Sequence, residues 1–168
     1  MRILAISGSL QKQSANLALV QAIAAWAPDG VEVTLFDGLR QLPHFNSDLE
    51  IDGPLPIVRQ WRQALLDHDA LLIASPEYGF SLPGALKNGI DWVIGTGELE
   101  RKIVAITASV NHRDRGRKGL QALSDTLHAV RARVVGGKPI VRGATFETDA
   151  RNLLDSLVTT VRMNTATE

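Results

Sequence analysis

Two five-residue stretches, Ala70-Leu71-Leu72-Ile73-Ala74 and Ile103-Val104-Ala105-Ile106-Thr107, carry almost no polar side chain. A strand with one wet face alternates apolar and polar residues. An unbroken apolar run of this length fits a central parallel strand covered on both faces. Helix-like stretches surround these runs. Ser14 to Ala27 places Val20, Ile23, Ala24 and Ala27 at helical spacing, and Pro28-Asp29-Gly30 stops it. Ile57, Trp61 and Leu65 share one side of a second helix. Leu82, Leu86, Ile90 and Val93 form a third stripe, with Pro83 in its first turn. Leu120, Leu123, Leu127 and Val130 form a fourth, and Leu154, Leu157, Val158 and Val161 a fifth. The tail from Asn164 to Glu168 reads as frayed.

Further strands complete the alternation. Arg2 to Ser7 is an apolar run ending at a Ser-Gly-Ser turn. Val31 to Phe36 alternates with period two, which predicts an edge strand. The fifth strand is either Val134-Val135 or Ile140-Val141, and the pattern does not choose between them. Strands alternating with helices predict an α/β fold, a doubly wound five-stranded parallel sheet. The flavodoxin-like order 2-1-3-4-5 puts the half-wet strand at an edge. Residues 1–168 are expected to form a single domain. The longest irregular stretch, Asp37 to Pro56, is expected to be functional or ordered by a neighbour.

Bulk properties remove several functional classes. The formal charge is zero, from 18 basic and 18 acidic residues, which argues against a nucleic-acid or anionic-membrane binder. The chain has no cysteine, so any redox chemistry must come from a bound cofactor. The apolar run at Met1 to Ser7 is too short for a signal peptide, no run is long enough to span a bilayer, and a cytoplasmic location is expected. His44, His68, His112 and His128 show no metal-ligand spacing, so no metal is expected. Trp26, Trp61 and Trp92 lie on helices and are expected in the core or at a subunit contact.

In an open α/β sheet, ligands bind beyond the carboxyl ends of the strands where the strand order reverses, here between strands 1 and 3. Three loops reach that point. Ser7 to Asn16 joins a strand to a helix N-terminus, where unpaired N–H groups and the helix dipole favour an anion. Ser9 and Ser14 add hydroxyls, Asn16 adds an amide, and Gly8 allows the turn without a Cβ clash. A turn capped by Ser14 explains the same residues. Neither the dinucleotide fingerprint nor the P-loop motif occurs in the chain. The second loop, Ser75 to Gly84, presents Tyr78 and Phe80, which can border a flat ring or simply pack on the surface. The third, Ala108 to Gly119, is rich in cations from Arg113 to Lys118. These can attract the phosphates of a nicotinamide cofactor or form an ordinary solvated face.

At these loops the chain resembles the NADPH-dependent FMN reductase family, which includes quinone, azo-dye and chromate reductases. The resemblance lies in Gly8-Ser9-Leu10 followed by Ser14-x-Asn16, and in Pro76-Glu77-Tyr78-Gly79-Phe80-Ser81-Leu82-Pro83-Gly84-Ala85-Leu86-Lys87-Asn88-Gly89-Ile90-Asp91-Trp92. It implies a non-covalent FMN, with NADPH or NADH as co-substrate. It implies that Ser9, Ser14 and Asn16 contact the phosphate, and Gln11 and Ala15 in the same loop are further cofactor-binding candidates. Pro76, Glu77, Tyr78 and Gly79 then border the isoalloxazine, with Ser109 near the ring's other side; Phe80 is a cofactor-binding candidate by its aromatic type. No side chain is implied as a catalytic acid or base. The implied reaction passes hydride through the flavin to a small-molecule electron acceptor such as a quinone, free flavin, azo compound or metal oxyanion. A homodimer or homotetramer is implied as well. The alternative is a non-enzymatic flavin-binding electron carrier or sensor domain. The chain departs from the family pattern in three places. Gln11 stands where arginine is common, Gly79 replaces the usual asparagine after Pro-Glu-Tyr, and Asn111 to Lys118 replaces a short glycine-rich loop.

Overall fold

The central strands fall where the two apolar runs lie: β3 is Ala70–Ala74 and β4 is Ile103–Thr107, and every residue of both is buried. The computed structural model describes residues 1–165. β1 (Arg2–Ser7) pairs with β2 (Glu32–Phe36) on one side and with β3 on the other. A two-residue strand, β5 (Ser109–Val110), continues beyond β4. The remaining strands are β6 (Arg133–Gly136) and β7 (Ile140–Val141). The main sheet is wholly parallel in the order β2-β1-β3-β4-β6, which is the doubly wound order expected.

Both candidates for the fifth strand are strands. β6 closes the edge of the main sheet, whereas β7 pairs with β5 in a small separate ladder. The chain leaves the first at Gly136-Gly137 and re-enters extended structure at Ile140. Its course is fixed by Thr107, whose fully buried hydroxyl donates to the Lys138 carbonyl at 2.9 Å. The Ile140 N–H donates to the Ala108 carbonyl at 2.8 Å.

Side-chain alternation along the strands divides the core into two layers. Leu4, Ile6, Leu71, Ile73, Val104 and Ile106 face one side. There they pack against α2 (Pro56–Leu66), α3 (Gly84–Asp91) and α4 (Arg117–Ala129). Ile3, Ala5, Ala70, Leu72, Ala74, Ile103 and Ala105 face α1 (Ala15–Ala25) and α5 (Phe146–Thr165). Truncating a leucine at the centre, such as Leu72 with no exposure, costs about 2–5 kcal/mol. Trp61 and Trp92 are core residues whose indole N–H groups donate to the carbonyls of Gly89 and Pro43. Trp26 packs edge-on to Phe146 at 6.4 Å.

Three boundaries differ from expectation. α3 starts after Pro83, which sits in extended conformation at the cap, and ends at Asp91, so Val93 is buried in the turn that follows. α5 continues through Asn164 and Thr165, because the Thr165 hydroxyl donates back to the Val161 carbonyl at 3.1 Å. The rest of the expected frayed tail, 166–168, lies outside the described residues. The irregular stretch from Asp37 to Pro56 contains two short 3-10 turns, Gly38–Gln41 and Ser47–Glu50. Asn88 holds it by donating to the Pro43 carbonyl and accepting from the Phe45 N–H, and Arg62 forms a two-pronged ion pair with Glu50.

Candidate functional site

The loop after β1 is drawn into the sheet by one bond, from the Gly8 N–H to the Ala74 carbonyl at 2.8 Å. A Cβ on Gly8 would lie 2.9 Å from Ser75 Oγ, so close approach of two loops explains this glycine. Ser14 is a true N-cap: its Oγ accepts from the N–H groups of Asn16 at 3.2 Å and Leu17 at 3.4 Å. Ser9 Oγ accepts from the Gln11 N–H at 3.3 Å. Ser9, Ser14 and Asn16 are buried, whereas Gln11 and Lys12 project into solvent. No carboxylate occurs from Ser7 to Asn16, so this helix start offers only N–H groups, hydroxyls, amides and one lysine. That donor set suits a phosphate.

Asn16 does more than line this loop. Its Oδ1 accepts from the Ser109 N–H at 2.9 Å, across 93 residues of sequence. The loops after β1 and β4 are therefore tied by a side chain that is 5% exposed. Ser109 Oγ is buried and has no hydrogen-bond partner among the described residues. A buried hydroxyl without a partner is disfavoured unless a ligand completes it.

The turn after β3 is a two-residue hairpin. Tyr78 and Ser81 exchange two backbone hydrogen bonds of 3.0 Å. Gly79 and Phe80 between them lie at φ +55° and +62°, the combination used by primed hairpin turns. Asparagine and glycine both tolerate this conformation, so Gly79 keeps the turn while removing an amide side chain. Glu77 points to α4: its Oε2 accepts from the Gly119 N–H at 3.0 Å and so caps that helix. Phe80 is 67% exposed, with Lys118 Nζ 3.8 Å above its ring, and Tyr78 is also exposed.

Pro76, Glu77, Ser109, Val110, His112 and Arg142 line a cleft of about 700 Å³ between the turn after β3 and the loop after β4. A smaller space of about 330 Å³ lies along the first turns of α1, bordered by Lys12, Ser14, Ala15 and, again, Arg142. The structure thus gathers Ser14, Ala15, Asn16, Pro76, Glu77 and Ser109 around connected loops. Ser9 lies just inside them. Gln11 points outward, and Tyr78, Gly79 and Phe80 sit on the exposed rim.

Sequence reasoning missed Arg142. It follows β7, its N–H donates to the Val110 carbonyl at 2.8 Å, and its guanidinium bonds Asn111 Oδ1. Its signal was being the first charged residue after Ile140-Val141, at the carboxyl end of a strand. That signal was hidden while the strand itself stood as one of two alternatives. Among the described residues no cluster of side chains could hold a metal ion, and no helix is long and apolar enough to cross a membrane.

A wholly parallel sheet in this order, with helices on both faces, defines a flavodoxin-like α/β fold. The family model described as NADPH-dependent FMN reductase matches residues 1–145, and the chain belongs to that family. An NADPH:quinone oxidoreductase of Arabidopsis thaliana is 40% identical over 95 residues, 54% of this chain and 48% of the relative. An NAD(P)H-dependent FMN reductase of Pseudomonas aeruginosa is 41% identical over 91 residues, 54% of this chain and 49% of the relative. The match thus spans about half the length of these curated relatives. Among solved structures, the flavoenzyme NAD(P)H:(acceptor) oxidoreductase FerB from Paracoccus denitrificans superposes with a TM-score of 0.85 at 24% identity, covering 96% of this chain and 97% of that one. That likeness supports the fold.

Proposed function

We propose that this chain is an NAD(P)H-dependent, FMN-containing reductase of small-molecule acceptors. The observation that carries the reading is the Asn16–Ser109 hydrogen bond, which joins an acid-free helix start to a cleft containing the unpartnered Ser109 hydroxyl. When bound, FMN supplies the hydride-accepting and hydride-donating centre that no side chain of this chain provides. Ser9, Gln11, Ser14, Ala15 and Asn16 hold its phosphate through N–H groups, hydroxyls and the dipole of α1. Arg142 adds a charge beside Ser14 and Ala15, in place of the arginine absent at Gln11. Pro76, Glu77, Tyr78 and Gly79 border the ring with backbone, Phe80 shields its rim, and Ser109 donates to its polar edge. The cleft then orients a nicotinamide and afterwards the acceptor in the same space, a proximity effect that needs no side-chain acid or base.

The acceptor class is a quinone, free flavin, azo compound or metal oxyanion. The working unit is a homodimer or homotetramer, in which a second copy covers the exposed Tyr78 and Phe80. Residues 1–168 act as one flavin-binding domain, in the cytoplasm. The test is an anaerobic titration: FMN-loaded protein should bleach rapidly on adding NADPH or NADH. If neither FMN nor FAD binds at micromolar concentration, the reading is wrong. Binding without bleaching points to a carrier or sensor instead, a role that the neutral net charge does not favour.

A further inference from the structure

The loop between β5 and α4 has a second side. While His112, Asp114 and Arg115 line the cleft described above, Arg113 and Arg117 turn to a separate cavity of about 630 Å³. Lys138, from the turn between β6 and β7, lines the same cavity, and the backbone from Gly143 to Thr145 closes it just before α5. Three cations thus converge from two parts of the chain, the loop leading into α4 and the turn between β6 and β7. None of the three forms an ion pair with a described residue. Arg117 is steadied by donating its Nε–H to the Arg113 carbonyl at 3.0 Å. One carboxylate, Asp149, lines the cavity as well, which leaves an excess of two positive charges.

This charge works against the fold. Arg117 is the first residue of α4, where the helix dipole disfavours a cation, and Lys118 follows it. A cation at a helix start that forms no ion pair with a described residue costs stability locally, and such departures concentrate at functional positions. We infer that this cavity binds the phosphates on the adenosine side of a nicotinamide dinucleotide. The inference rests on the reductase reading above. Nicotinamide in the cleft and phosphate in the cavity would straddle one loop, which forms a wall of each. The phosphate is either the 2′-phosphate found only on NADPH or the pyrophosphate common to both nucleotides.

The experiment uses FMN-loaded protein and the double variant Arg113→Ala/Arg117→Ala, with Lys138→Glu as a second variant in case the first folds poorly. Binding of 2′,5′-ADP and of 5′-ADP is measured by calorimetry, and KM for NADPH and NADH with a quinone acceptor. Both variants should weaken nucleotide binding and raise KM for NADPH about tenfold, the effect of losing roughly 1.4 kcal/mol of charge-assisted contact, with flavin affinity unchanged. A rise for NADPH alone assigns the 2′-phosphate; equal rises for both nucleotides assign the pyrophosphate. Wild-type turnover with unchanged KM in folded variants overturns the cavity assignment alone. Wild-type flavin that neither nucleotide bleaches overturns the reductase reading beneath it.

Discussion

The turn after β3 and the loop after β4 face one cleft and are held in opposite ways. From Ser75 to Ser81 the chain is fixed by backbone bonds, Tyr78 with Ser81 and the Ser75 N–H with the Thr107 carbonyl at 2.8 Å, and by Glu77 capping α4. From Asn111 to Arg115 every side chain is exposed and charge dominates, with the Arg115 N–H to the His112 carbonyl at 3.0 Å as a local tie. The contrast separates two tasks. On the reading proposed above, a resident cofactor would be served by groups that need no reorganisation, and a visiting charged nucleotide by exposed cations that steer its approach. Asn16 ties the loop after β4 to the loop after β1, which no backbone bond does for Ser109, so it should be the most damaging place to cut.

Asn16→Leu should therefore have the largest effect. It leaves the Ser109 N–H without its acceptor in a part-buried site, at a cost of about 1–3 kcal/mol of stability. It also frees the loop after β4 from the loop after β1, so FMN affinity should fall by more than about 30-fold, the equivalent of roughly 2 kcal/mol. Thermal melting and quenching of FMN fluorescence read the two effects. An unchanged FMN affinity would show that the loops are joined without serving one ligand.

Glu77 comes next, and it tests how much of the turn's order is owed to α4. Glu77→Ala should cost about 1–2 kcal/mol through the lost cap on Gly119, and more than Glu77→Gln, which keeps an acceptor without the charge. Urea unfolding of the two variants makes the comparison. Equal losses would mean that the charge, and not the hydrogen bond, is what α4 requires with Arg117 and Lys118 in its first turn.

Ser109→Ala divides ligand binding from folding more sharply. Its hydroxyl has no partner in the protein alone, so the flavin-free variant should melt at the same temperature as the parent or slightly higher. The flavin-bound variant should lose about 1 kcal/mol of binding, roughly fivefold in affinity. Loss of stability without loss of affinity would make the hydroxyl a structural group and remove it from the site.

These contrasts also explain what the sequence disclosed. β3 and β4 were legible to the residue because burial on both faces leaves a signal that needs no partner to interpret. The fifth strand was ambiguous because both segments are strands, in different ladders. The long motif from Pro76 to Trp92 was legible as a family mark, but part of its content is structural. Asn88 and Trp92 hold Pro43 and Phe45, partners more than 40 residues away that no local pattern announces. Phe80 was read as a neighbour of the ring from its type alone. The left-handed turn at Gly79 and Phe80 sets it on the rim under Lys118. Arg142 and the two-sided loop at Arg113 were out of reach, since both depend on how β7 lies beside β5.

The smallest expected effect lies at the other end of β4 and serves as the control. Lys102 immediately precedes the strand that leads to Ser109, and its ammonium donates to the His68 carbonyl at 2.7 Å. Burial holds its pKa below the ordinary 10.5, with Asp69 opposing the shift. The folded protein therefore releases this proton at lower pH than the unfolded chain does. Between those two pKa values the unfolded chain binds more protons, so stability from this group rises with pH. Lys102→Met should remove that rise while changing stability at neutral pH by less than about 1 kcal/mol, as lost desolvation offsets the lost hydrogen bond. The measurement is the difference in melting temperature between parent and variant at pH 7 and pH 10. The parent should gain on the variant at the higher pH, and FMN affinity should not move, because neither loop at the cleft touches this end of the strand. A change in flavin affinity here would mean that the two loops answer to the sheet as a whole, and their contrast would lose its local cause.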